Sequence, residues 1–139
     1  MGWVNPTSHD DPDNNWSYET DAYDDNTGTY AYAQDKYTGS YLILIRAAID
    51  CDKVRMWPHT NGHDSTAWVI DVYYDGGWHN VYSGTLVRNQ WHELSIPAGT
   101  KSVTQARIYA SNTSYSLYVG EFDFNEVEVV GRSFGYIIG

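Results

Sequence analysis

The residues able to do chemistry fall in stretches that read as loops. His59 and His63 stand in the H-x₃-H spacing that two zinc ligands can use. The chain has one cysteine, Cys51, and no third histidine near this pair, so a zinc site lacks its other ligands. The two imidazoles therefore read as exposed loop groups. The same region suits a sugar better. A sugar offers apolar C–H faces to aromatic rings and hydroxyls to amides and charged groups. Trp57, His59 and Asn61 supply both kinds of partner in one loop, and Asn112 and Tyr115 do so in another. These five residues are the candidate ligand-binding set.

Oxygen chemistry is concentrated earlier. Tyr23 to Thr29 reads YDDNTGT. Calcium takes six to eight oxygen ligands, and a loop of Asp, Asn and Thr with free carbonyls can offer them. The same residues also close Asx-turns with no ion. Asp11-Pro12-Asp13-Asn14-Asn15 opens like an EF-hand, but Trp16 fills the glycine position and Ala22 that of the bidentate glutamate, which excludes that motif. Catalytic signatures are missing: there is no G-x-S-x-G elbow, H-E-x-x-H or P-loop. With 18 acidic residues, some carboxylate pair reaches glycosidase spacing by chance, so that criterion decides nothing. Cys51 has no nucleophile signature and reads as a small buried hydrophobe.

The elements that must position these residues are strands. Tyr41–Ala47 is apolar at nearly every position, as for a strand covered on both faces. Lys53–Trp57, Ala67–Tyr74, Trp78–Ser83, Gln90–Ile96 and Ala106–Ser111 alternate or are strand-rich, and Ser116–Val119 and Glu121–Val130 close the pattern. Asp75-Gly76-Gly77 predicts a hairpin turn, since Asp and Gly tolerate positive φ. Trp68 and Trp78 fall inside strand patterns and read as core, while Trp91 fits either core or surface. Phe122 and Phe124 are apolar at even positions but Val127 and Val129 at odd ones, so a β-bulge or a kink is expected near Asn125. Short strands spaced by turns predict an all-β sandwich.

Four motifs in order carry a resemblance. Ala22, Asp24, Asp25, Asn26 and Thr29 follow the frame A-x-D-G-N-x-x-T, with Asp25 for the glycine and Ala31 where a tryptophan usually follows. Asp75-Gly76-Gly77-Trp78 precedes Val81-Tyr82, Ala106-Arg107-Ile108-Tyr109 comes later, and Glu126-Val127-Glu128-Val129-Val130-Gly131 ends the set. The order resembles the discoidin-type, galactose-binding-like domain family over roughly residues 14 to 131. The resemblance implies a jelly-roll β-sandwich of about eight antiparallel strands and carbohydrate binding through loops at one end. It also implies a structural calcium, held by the early loop and a late glutamate; the matching positions are Asp24, Asn26, Thr29 and Glu126.

Composition bounds the rest. The 139 residues suit one domain, too short for a two-half dinucleotide-binding enzyme or a (β/α)₈ barrel. A formal charge of −10 opposes nucleic-acid phosphates, and no basic patch offsets it. No run approaches the ~18 apolar residues of a membrane span, and no signal peptide is visible in residues 1–15. The chain divides into an N-terminal arm (1–14), a sandwich (15–131) and an apolar tail (132–139). These features predict a non-catalytic, carbohydrate-binding module, extracellular or on a virion surface. The alternative is an assembly subunit, such as a virion decoration, tail or surface-layer protein, that docks or self-associates through the arm and tail. A polysaccharide-active enzyme comes third.

Overall fold

The computed structural model describes residues 2–112 and 114–128. Ten strands are joined by turns: β1 (Gly2–Val4), β2 (Ser8–Asp10), β3 (Trp16–Ser17), β4 (Ala31–Ala33), β5 (Leu42–Pro58), β6 (Trp68–Tyr74), β7 (Gly77–Gly84), β8 (His92–Ser95), β9 (Lys101–Ala110) and β10 (Leu117–Glu126). Short 3₁₀ turns cover Glu19–Tyr23 and Asp35–Tyr37, and no α-helix occurs among the described residues. Every strand pair is antiparallel.

The 17-residue β5 organises the molecule, because its two halves have different neighbours. Leu42–Cys51 pairs with β9 and Ile43–Ile45 with β2, which gives the layer β2-β5-β9-β6-β7. Lys53–Met56 pairs with β8, and the half running to Pro58 pairs with β10, which gives the layer β3-β4-β10-β5-β8. A register shift between Ile45 and Ile49 puts a bulge in β5 within its pairing to β9, and the strand passes to the second layer beyond Cys51, where Lys53 takes up the pairing with β8. The two runs read from the sequence as separate strands are therefore one.

The all-β jelly-roll sandwich expected from the sequence is the fold observed. Leu42, Leu44, Val54, Met56, Ile70, Val72, Ile108, Phe122 and Phe124 fill the interior and are buried. Each such side chain contributes roughly 1.5–3 kcal/mol relative to exposure. Cys51 is fully buried among them, and burial pushes its thiol up to about 11, so it is inert at neutral pH. The hairpin forms at Asp75 (φ 50°) and Gly76 (φ 80°), a two-residue turn that matches the strand twist.

Several expectations are refined. Ser8–Asp10, loop-like by composition, pairs with Ile43–Ile45, and Trp3 pairs opposite Asn125, so Gly2–Val4 and Ser8–Asp10 are strands of the sandwich itself. A tertiary partner overrode local propensity there. Trp68 is core at 2% exposure, but Trp78 lies on an outer face, its ring 4.5 Å from the Arg107 guanidinium. Trp91 likewise covers Arg55 at 3.9 Å. The register does shift between Phe124 and Glu126. A second shift, between Val119 and Glu121, leaves Gly120 as an extra residue on β10. The tail 132–139 lies outside the described residues.

Candidate functional site

Pairings place several loops at one end of the sandwich. Trp68 at the start of β6 lies between Gly84, ending β7, and Ala110, ending β9, while Pro58, ending β5, faces Val119. The loops after β5, β7 and β9 thus emerge together. Between them and the Asp35 turn lies a cleft of about 290 Å³, lined chiefly by Asp35, Asn61, His63, Tyr115, Ser116 and Tyr118. His63 and Tyr115 stack face to face, with centroids 3.8 Å apart and planes 5° apart. Burial, then the neighbours Tyr32 and Tyr30, holds the Tyr118 phenol above its ordinary value, so it keeps a proton to donate. Flat apolar faces beside an amide, hydroxyls and one carboxylate form a surface matched to an amphipathic polyol.

Polar side chains brace these loops. His59, 7% exposed, accepts the Asn61 N–H at Nδ1 (3.0 Å) and sets Nε2 3.3 Å from the Gly28 carbonyl oxygen. It thereby ties the β5–β6 loop to the early acidic loop. The Asn112 side chain accepts the Ala67 N–H at 3.3 Å and donates to the Ser65 carbonyl at 3.3 Å, while the Asn112 backbone carbonyl accepts the Thr38 hydroxyl at 2.7 Å. Arg88 bonds Asp64 (2.9 Å) and the Thr60 and Gly62 carbonyls (both 3.1 Å). Such bracing preorganises the cleft and lowers the entropic cost of binding. Of the five candidate ligand-binding residues, Asn61 and Tyr115 line the cleft. His59 and Asn112 instead position loops, and Trp57 lies on the outer face, edge-on to Trp91 at 5.6 Å. Asp35, His63, Ser116 and Tyr118 were not singled out as ligand residues by sequence. The H-x₃-H spacing of His63 points only to zinc, and its stacking on a tyrosine 52 positions later is a tertiary fact.

The early loop forms the second feature. Asp24 accepts the Asn26 N–H at 3.0 Å and the Thr29 hydroxyl, and Asn26 accepts the Gly28 N–H at 2.9 Å. These are Asx-turn bonds, so Asp24, Asn26 and Thr29 shape the loop. Asp25 adopts φ 60°, the left-handed conformation that the resembling frame assigns to glycine and that Asp tolerates. The loop lies against the outer face of β10, where the Asn26 N–H is 3.4 Å from Glu121. Carboxylate oxygens of Asp25, Glu121 and Asp123 lie within 4.8 Å of one another. Glu121 and Asp123 are 2% and 4% exposed, and one oxygen of each, Oε2 and Oδ1, has no hydrogen-bond partner. Arg55 holds the other Asp123 oxygen at 2.9 and 2.8 Å.

Burial, then contact with the Asp24 carboxylate, then the charge of Asp123, pushes Glu121 up to about 8. Burial raises Asp123 as well, against the lowering effect of Arg55. Orphaned carboxylate oxygens that resist ionisation are what a hard cation would satisfy, so the donor set fits calcium. The family resemblance implied Glu126 for this set. It lies instead near the other end of β10, opposite Gly2 and Cys51, and Glu121 is the strand glutamate that meets the early loop.

No protein-family model matches the sequence, and no curated protein matches it. Solved structures do. The chain is similar to the family 32 carbohydrate-binding module of Clostridium perfringens NanJ in complex with galactose, at 16% identity and TM-score 0.64 over 86% of this chain and 91% of that one. It is similar to the family 32 module of AlyQ in complex with 4,5-unsaturated mannuronic acid, at 20% identity and TM-score 0.68 over 89% and 98%. It is also similar to chitosan-binding module 1 of a Paenibacillus sp. IK-5 chitosanase/glucanase, at 16% identity and TM-score 0.60 over 87% and 95%. At these identities the likeness establishes the fold alone: the sandwich is the one these solved modules share.

Proposed function

We propose that this chain is a non-catalytic carbohydrate-binding module, outside the cell, whose sugar site is the cleft between the β5–β6 and β9–β10 loops. The observation that carries the reading is the stacked His63–Tyr115 pair beside Tyr118 and the Asn61 amide, in a cleft braced by His59, Asn112 and Arg88. The aromatic faces receive the C–H side of a pyranose, while Asn61, Ser116 and Asp35 take its hydroxyls. The neighbours that share the fold and are described with galactose, a uronic sugar or chitosan support the same class of ligand.

The geometry argues against catalysis. The carboxylate pushed up to about 8, Glu121, is sealed under the early loop, and Asp35 is the one carboxylate lining the cleft among the described residues. The assembly alternative loses one of its two supports, because the N-terminal strands fold onto their own sandwich.

Calcium enters this reading as a structural ion. Glu121, Asp123 and Asp25 would hold it, with the loop built by Asp24, Asn26 and Thr29 closing over it. The ion would neutralise buried carboxylates and pin the loop that His59 links to the cleft.

A glycan array followed by calorimetry tests the proposal. The expected result is binding of at least one glycan that weakens about tenfold or more in Tyr115→Ala. A folded protein that binds no glycan, or binds one unchanged in that variant, overturns it.

A further inference from the structure

A second cleft adjoins the first through the touching rings of Tyr118 and Tyr30. It measures about 260 Å³ and is lined by Tyr18, Asp21, Gly28, Thr29 and Tyr30. Tyr118 belongs to the first cleft and Tyr30 to the second, and their rings touch edge to face with centroids 4.9 Å apart. Tyr18 extends the row, its ring 6.5 Å from that of Tyr30 and nearly perpendicular to it. Tyr18 is 65% exposed although its backbone sits at φ 56°, an uncommon conformation for a bulky residue. A large ring held out into solvent, at the mouth of a cleft, is a contact surface in want of a ligand.

Each cleft is at or below the small end of ligand pockets, roughly 300–1,000 Å³, a size that seats about one sugar unit. A single pyranose is about as wide as one tyrosine ring and cannot fill both. Resting on the carbohydrate reading above, we infer that the site takes a linear oligosaccharide of three or more units. The chain lies across the Tyr118–Tyr30 ridge, with one end in the His63–Tyr115 cleft and the other against Tyr18.

Charge narrows the class. Each cleft carries one carboxylate, Asp35 or Asp21, and neither is lined by Lys or Arg. Arg88, in the loop beside the first cleft, is engaged by Asp64 and by the Thr60 and Gly62 carbonyls. The surface therefore suits neutral or amine-bearing sugars and disfavours uronates.

The test is titration calorimetry with oligomers of one to four units of galactose, glucose, glucosamine and N-acetylglucosamine, and with oligogalacturonate at low salt. Affinity is expected to rise about tenfold between one and three units of the preferred neutral or amino sugar and then level off. Tyr18→Asn, which keeps a residue suited to the left-handed backbone, is expected to bind the trimer no better than the single unit. A flat length series, or a Tyr18→Asn variant that retains the gain, overturns the two-cleft inference and leaves the single-sugar site standing. Tighter binding of oligogalacturonate than of the neutral and amino oligomers overturns the charge assignment. Failure of every sugar at every length removes the carbohydrate reading and this inference with it.

Discussion

Glu121 is where a single residue couples folding to conditions. Its carboxyl ordinarily titrates near 4.5 but is pushed up to about 8 in the folded chain. Between those values the folded state keeps a proton that the unfolded state releases. Stability of the calcium-free protein is therefore fully present below about pH 4.5 as far as this group is concerned, and falls as pH rises toward 8. The raised Asp123 acts in the same sense. Melting of chelator-treated protein should show Tm declining by several degrees from pH 5 to pH 8. Calcium needs the ionised carboxylate, so it should bind more tightly as pH rises through that window and cancel the decline. Glu121→Gln should flatten the profile and abolish the calcium-dependent rise in Tm. A flat profile for the chelated wild type would show that the buried carboxylate is not protonated at neutral pH.

Among the elements, β10 joins the core, a bulge and the buried carboxylates in one strand. Leu117 and Val119 face the core, Gly120 is the extra residue of the bulge, and Phe122 and Phe124 resume the core face. The bulge turns Glu121 and Asp123 to the outer face beneath the early loop. A side chain at position 120 has no room: a Cβ there would lie 2.9 Å from both Trp57 Cδ1 and the Trp57 carbonyl oxygen. Backbone cannot yield as a flexible side chain would, so Gly120→Ala should cost about 1–3 kcal/mol in urea unfolding and weaken calcium-dependent stabilisation. Equal stability would mean that the strand pair relaxes freely. On the same face β1 brings Trp3 within 4.4 Å of the Arg55 guanidinium, opposite Trp91 at 3.9 Å. Trp3→Ala should lose about 1 kcal/mol of stability; an unchanged unfolding curve would show the arm to be a passenger.

At the scale of the whole molecule, the charge of −10 opposes compaction. The ion pairs Lys53–Glu93, Asp64–Arg88 and Lys101–Asp75 are solvent-accessible and each contributes little. Raising NaCl from about 20 to 200 mM should therefore raise Tm by a few degrees, by screening like charge. A fall would mean that the surface pairs outweigh the net repulsion. Local pattern carried much of this fold. Alternation in Ala67–Tyr74 marked β6, Asp75-Gly76 marked its hairpin turn, and the early Asp/Asn/Thr loop was recognisable because turn and strand preferences act over a few residues. Other features depend on residues far apart in the chain. Ser8–Asp10 becomes a strand only because Ile43–Ile45 lies beside it, and β5 serves both layers only because different partners claim its halves. Glu126 and Glu121 both sit in acidic–apolar alternation, so sequence could not say which meets the early loop; the bulge at Gly120 decides it. The row Tyr18, Tyr30 and Tyr118 spans 100 residues of chain. Composition determined that the chain would be rich in rings and carboxylates on a β-scaffold. Strand pairing alone decided which rings touch and which carboxylates are buried together, because contact across a sandwich is set by register and not by distance along the chain.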